Sequence, residues 1–332
     1  MSTARFGAAI LGCAGPRLTS AERAFFAACQ PFGFILFARN VEDADQLCAL
    51  TSDLRDAVGW HAPIFIDQEG GRVQRLRPPL AREWPPPLDH AAALGEKAAR
   101  GFYLRYRILA TELMRYGIDG NCAPMLDIAR PDTHPFLRNR CYGETLDQVV
   151  ALGRATAQAH LDAGVLPVVK HMPGHGLGTL DSHLELPHIA EPRDALEALD
   201  FAAFKPFADL PLGMTAHLVF DRIDPDRPAT VSPVMMRLIR EDIGFGGLIM
   251  TDDISMEALS GTVPERGAAA LAAGCDAVLH CNGDLEEMRA LMDRVGQLDD
   301  AGQKRADAAL ARRPEPVEVD IDALADDLRA LT

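Results

Sequence analysis

The chain has 332 residues, 48% of them apolar and 24% charged, with 27 Gly and 23 Pro, the usage of an ordinary globular protein that can bury a sizeable core. Lys and Arg number 33 against 48 Asp and Glu, a formal net charge of −15 with no basic cluster to offset it, which argues against nucleic acid or an anionic membrane as partner. The seven cysteines, Cys13, Cys29, Cys48, Cys122, Cys141, Cys275 and Cys281, are odd in number and lack C-x-x-C pairing, so reduced thiols in the cytoplasm are expected rather than a disulfide framework or a zinc site.

In chain order, the apolar stretch before Cys13 follows a single Arg5 and is shorter than the core of an export signal. It reads as a first strand on a chain that keeps its N-terminus, and no later run approaches the ~18 apolar residues of a membrane span. Runs rich in Val, Ile, Leu and Phe predict strands at 6–14, 33–38, 63–67, 120–127, 167–170, 213–220, 247–251 and 277–280. Segments of helical periodicity lie between and after them, at 20–30, 43–58, 91–116, 145–163, 194–208, 232–242, 264–273 and 285–295. Eight such units, without a second block of different character, predict a single α/β (β/α)8 TIM-type barrel over 1–298 with a helical tail over 299–332. A doubly wound open sheet shares the alternation and is the rival architecture.

Loop lengths add an asymmetry. Helix-to-strand links are tight and carry a helix-stopping glycine, as in Tyr116-Gly117-Ile118 and Ala163-Gly164-Val165, whereas the links after strands three to six are long. Barrel enzymes build their sites on the face formed by the loops after the strands. Here those ends are ionisable: Asp67-Gln68-Glu69 after strand three, Asp127 after four, Lys170-His171 after five, His217 in six and Asp252-Asp253 after seven. Burying such groups costs several kcal/mol unless they are paired, so their convergence on one face points to a site, although Asp127 alone could equally be a satisfied structural carboxylate.

The sharpest segment is Lys170-His171-Met172-Pro173-Gly174-His175-Gly176-Leu177-Gly178-Thr179-Leu180-Asp181-Ser182-His183. Its glycines allow it to carry Asp181 and His183 over the barrel mouth, where the carboxylate could hydrogen-bond one imidazole nitrogen and leave the other for proton transfer. Three histidines so close together could also suit a metal, but neither a His-Glu-x-x-His pattern nor a His-x-His strand end is present, and no metal or organic cofactor is expected.

This segment, Ile66-Asp67-Gln68-Glu69-Gly70-Gly71-Arg72-Val73-Gln74-Arg75 and Met250-Thr251-Asp252-Asp253-Ile254-Ser255-Met256 together resemble, in order, the bacterial β-N-acetylhexosaminidases of glycoside hydrolase family three. Phe34-Ile35-Leu36-Phe37-Ala38-Arg39-Asn40 extends the likeness toward the N-terminus. The resemblance implies that Asp252 is the nucleophile, that His183 oriented by Asp181 is the general acid/base, and that Asp67, Arg75, Arg140, Lys170 and His171 bind the sugar. Met172, Thr251 and the Cys141-Tyr142 pair depart from the family's usual residues.

The implied activity is retaining removal of terminal N-acetylglucosamine from peptidoglycan (muropeptide) fragments in cell-wall recycling, through a covalent glycosyl-aspartate, by a cytoplasmic monomer. A histidine with an ordinary pKa of ~6.5 can serve as acid and then base near neutral pH. Two rival chemistries use the same ends: a phosphorylase on the same fold, and a metal-dependent amidohydrolase-like barrel using Lys170, His171, His217 and Asp252. A carbohydrate-binding barrel without chemistry is the non-enzymatic rival.

Overall fold

Strands apolar on both faces must be covered on both, and the chain does this by closing its sheet. The computed structural model describes residues 5–180, 185–313 and 315–331. Eight parallel strands form one closed barrel: β1 (Gly7–Leu11), β2 (Pro31–Leu36), β3 (Ile64–Ile66), β4 (Gly120–Asn121), β5 (Leu166–Met172), β6 (Leu212–Thr215), β7 (Leu248–Asp253) and β8 (Ala277–His280). Closure is made where Ala9 registers with Val278 and Leu11 with His280.

Alternation along each strand sorts the side chains. Ala8 and Ile10 of β1 join Phe65, Cys122, Val168, Met214, Met250 and Leu279 in the barrel interior, while Ala9 and Leu11 pack outward in the helix-facing core. Phe65 fills the centre so fully that a Cβ on Gly120 would lie 2.3 Å from its ring. The N-terminal ends of the strands are closed by the helix Asp300–Ala311, whose Ala306 and Ala309 enter the interior cluster with Leu298. The last helix, Ile321–Arg329, packs against Ala98–Met114.

The eight predicted strands and the barrel reading match the structure, which excludes the open sheet. Three expectations are corrected by local chemistry. The helix predicted over 91–116 is two, Pro87–Leu94 and Ala98–Met114, because Gly95 turns the chain at φ +54° and the second helix then packs Gly101 tightly on Leu94. The helix over 194–208 stops after Arg193–Ala198: the chain bends to bury Asp200, and Pro206 has no amide for a helical bond, leaving a 3-10 turn at Lys205–Phe207. Strands four and six are shorter than predicted. Residues 122–127 leave the ladder apart from a bridge between Met125 and Lys170, and Val219–Phe220 pairs instead with His188–Ile189 and Asp224–Pro228 above the barrel.

Candidate active site

Asp67 follows β3 directly, and the tight hairpin Gln68–Gly70/Val73–Gln74 turns the chain so that Arg75 comes back beside it, 3.1 Å from its carboxylate. On β5, the buried Lys170 reaches Asp67 at 3.1 Å and Glu69 at 2.5 Å. Glu69 in turn receives a two-pronged bond from Arg140, with Nε at 2.9 Å and Nη2 at 2.8 Å. Two carboxylates and two cations therefore alternate, each neutralising a charge that would cost several kcal/mol alone. Burial by itself would raise both carboxyls, but Lys170 and Arg75 hold Asp67 well below its ordinary range, and Arg140 with Lys170 hold Glu69 down at about 2. Burial would lower Lys170, and the two carboxylates overcome it to keep the ammonium charged.

Asp252 and Asp253 end β7 and behave differently. The Asp253 carboxylate is consumed by the turn that follows: Oδ1 accepts the N–H groups of Ser255 (3.1 Å) and Cys281 (3.2 Å), and Oδ2 accepts the Ser255 hydroxyl (2.8 Å). Among the described residues, Asp252 accepts only the N–H of Asp253, at 2.8 Å, and turns to the cleft. Burial would raise its carboxyl, but His171 and His217 draw it below the usual value, so it is anionic. His217 sits with Nε2 3.0 Å from the Asp253 carbonyl and Nδ1 2.7 Å from the Thr230 hydroxyl. Both ring nitrogens are thus occupied, which removes His217 from the ligand set that an amidohydrolase-like metal site would need. Among the described residues no group of His, Cys, Asp or Glu is arranged to hold a metal ion.

Asp127 is buried beneath the start of the loop after β5. Its Oδ2 accepts His171 Nδ1 at 2.7 Å, and its Oδ1 accepts the His175 N–H at 2.6 Å. The loop is then docked through the Gly178 carbonyl, which accepts the His134 N–H at 3.0 Å, and through Gly176, where a Cβ would lie 2.0 Å from the Ile128 carbonyl oxygen. Burial pushes the His175 imidazole down to about 4, so it is neutral near pH 7.

Asp67, Arg75, Arg140, Lys170, His171 and Asp252 line one cleft of about 230 Å³, with Phe37, Phe136 and Met256 as its apolar walls. Asp181 and His183, the sequence-predicted acid/base pair, lie outside the described residues. Glu69 was legible only as part of an ionisable strand end; its place as the hub between Lys170 and Arg140 depends on partners distant in the chain, Arg140 being 71 positions away and Lys170 farther still, although its position two residues after Asp67, on a hairpin, was a usable signal.

Residues 11–313 match the glycosyl hydrolase family 3 N-terminal domain. The chain is 38% identical over 284 residues to a β-hexosaminidase of Alkalilimnicola ehrlichii, covering 83% of this chain and 81% of that one. It superposes with a TM-score of 0.86 and 29% identity on NagZ from Neisseria gonorrhoeae in complex with N-trifluoroacetyl-D-glucosamine, covering 98% of this chain and 96% of that one. The same TM-score and identity relate it to a family 3 β-N-acetylglucosaminidase from Paenibacillus sp., of whose longer chain it spans 66%. No helix among the described residues is long and apolar enough to cross a membrane. The chain belongs to glycosyl hydrolase family 3 and is a glycoside hydrolase.

Proposed function

We propose that this enzyme is a retaining exo-β-N-acetylglucosaminidase that takes terminal N-acetylglucosamine from muropeptide fragments in the cytoplasm, through a glycosyl-aspartate on Asp252. The observation that carries the reading is the anionic Asp252, bonded among the described residues only to its own backbone neighbour, facing a cleft in which Asp67, Arg75, Lys170 and Arg140 are held in ion pairs. A cleft of about 230 Å³ is below the roughly 300–1,000 Å³ of sites for drug-sized ligands, which suits one terminal sugar ring rather than an internal stretch of chain. The similar proteins, a β-hexosaminidase and NagZ in complex with N-trifluoroacetyl-D-glucosamine, support the same sugar.

In the first step the Asp252 carboxylate attacks the anomeric carbon while the glycosidic oxygen takes a proton; in the second, water attacks the glycosyl-enzyme and gives up a proton to the same group. We assign that group to His183, oriented by Asp181. His175, neutral and buried, and His171, tied to Asp127, leave it as the loop histidine suited to the role. Asp67, Arg75, Lys170 and His171 bind the ring hydroxyls and acyl group. Arg140 uses Nε and Nη2 on Glu69, so its contribution to the sugar is through Nη1.

A fluorinated N-acetylglucosaminyl donor with a good leaving group should accumulate on the peptide that contains Asp252. Labelling of another carboxylate, or an inverted first product by NMR, would reject the mechanism. Sugar 1-phosphate formed in phosphate buffer would redirect the reading to a phosphorylase.

A further inference from the structure

The Asp127 carboxylate carries no role in the chemistry above, yet it is among the most completely bonded groups on the site face. It is buried, its Oδ1 accepts the His175 N–H at 2.6 Å, and both oxygens face the His171 N–H, at 3.3 and 3.5 Å. These backbone bonds clamp the carboxylate in place, so that it is a fixed object for the imidazole of His171, whose Nδ1 lies 2.7 Å from Oδ2. An ionised carboxylate can only accept, so this contact requires a proton on Nδ1. The other nitrogen, Nε2, is then the one left for the cleft that His171 lines beside Asp252.

We propose that Asp127 is a positioning residue that fixes His171 as the Nδ1–H tautomer and thereby presents Nε2, as a hydrogen-bond acceptor, to a hydroxyl of the sugar. The neighbours agree with this division. His175 packs edge-on against the His171 ring at 5.8 Å between centroids and meets the carboxylate through its backbone N–H on Oδ1, leaving Oδ2 to the His171 imidazole. Burial would raise the Asp127 carboxyl, but His171 and His175 hold it below its ordinary value, which keeps it an acceptor. An isolated imidazole in water prefers neither orientation strongly; here one carboxylate, anchored by three amide contacts, selects both the orientation and the tautomer.

This inference rests on the glycosidase reading for its kinetic consequence but not for its spectroscopic one. With 15N-histidine label, and His171 assigned by its replacement, the spectrum recorded two pH units above the ordinary imidazole pKa of about 6.5 should show His171 protonated on Nδ1. Protonation on Nε2 in the wild-type protein would overturn the proposal without any variant. Asp127→Asn offers an amide that can donate to Nδ1, so His171 should switch to the Nε2–H tautomer and kcat/KM should fall roughly 10- to 100-fold. The fall should be similar for an activated aryl glycoside and a disaccharide, because leaving-group protonation is not what is lost. In a His171→Ala background the same change should cost no more than about twofold, since Asp127 acts through the imidazole. A tautomer unchanged in Asp127→Asn, or an undiminished loss in the His171→Ala background, would mean that the carboxylate is only structural. A wild-type enzyme inactive on every N-acetylglucosaminide would overturn the functional reading and leave the spectral result standing.

Discussion

At the N-terminal ends of the strands, Asp276 accepts from Arg240 at 2.6 Å, from Arg305 through two donors, and from the Ile249 N–H at 2.8 Å. Asp119 sits alike, with Arg55 at 3.1 Å and Arg313 at 2.9 Å, and takes the Ile64 N–H at 2.8 Å. At the C-terminal ends, Asp67, Glu69, Lys170 and Arg140 form an equally dense set of charges. The residue types at the two ends are the same, and the outcome differs. At the first end the carboxylates tie strand starts to the helix pair and tail that cover them, so the charges serve closure. At the second they line a cleft with Asp252, whose carboxylate has a single bond among the described residues. A buried charge marks a site when its partners leave part of it facing open space, not merely because it is buried.

Replacing one carboxylate at each end should separate the two uses. Asp252→Ala should lower kcat by roughly 10⁴ or more while leaving thermal unfolding nearly unchanged, because little of the fold depends on that side chain. Asp276→Ala leaves two guanidiniums without their carboxylate and should lose about 3–5 kcal/mol of stability, with kcat of the folded enzyme unchanged. Calorimetry and turnover measured on both proteins would merge the two regions again if Asp276→Ala lost activity in the folded state.

A smaller effect is expected at Glu69, which belongs to the site but touches it through Lys170 and Arg140. Glu69→Gln keeps the shape and removes the charge, so KM should rise by about tenfold, equivalent to ~1.4 kcal/mol of binding, with a lesser change in kcat. Its pH dependence has a definite sign. The folded protein holds this carboxyl at about 2, below its ordinary 4.5, so the stabilisation is fully present above 4.5 and fades as pH falls toward 2. Glu69→Gln should therefore flatten the stability profile in that window; an unchanged slope in denaturant titrations at successive pH values would remove Glu69 from the acid response.

The smallest effect is expected one residue from the proposed nucleophile. Asp253→Asn retains an oxygen that can accept the Ser255 and Cys281 amides, so kcat should change by about threefold or less, reflecting only the lost charge on those bonds. A loss comparable to that of Asp252→Ala would reverse the assignment of roles within the pair.

Much of this was readable before any fold was known. Strand and helix periodicity located all eight barrel strands, since each signal lies within a window of a few residues, and the ionisable strand ends lie on the face that carries the cleft. The errors came where local pattern met a distant demand. Residues 91–116 carry an unbroken helical pattern, and only the packing of Gly101 on Leu94 shows why the chain turns at Gly95. Within the site, Asp67, Lys170 and Asp252 could be named from motifs, but their charge states could not. Lys170 meets Asp67 across 103 positions and Arg140 meets Glu69 across 71. The sequence by itself determined the barrel, the face that carries the cleft and the residue types available there, because hydrophobic period and strand ends are local. Which carboxylates are neutralised and which is left facing the cleft was decided only by tertiary structure, because a Coulombic partner is set by distance in space and the chain's spacing carries no record of it.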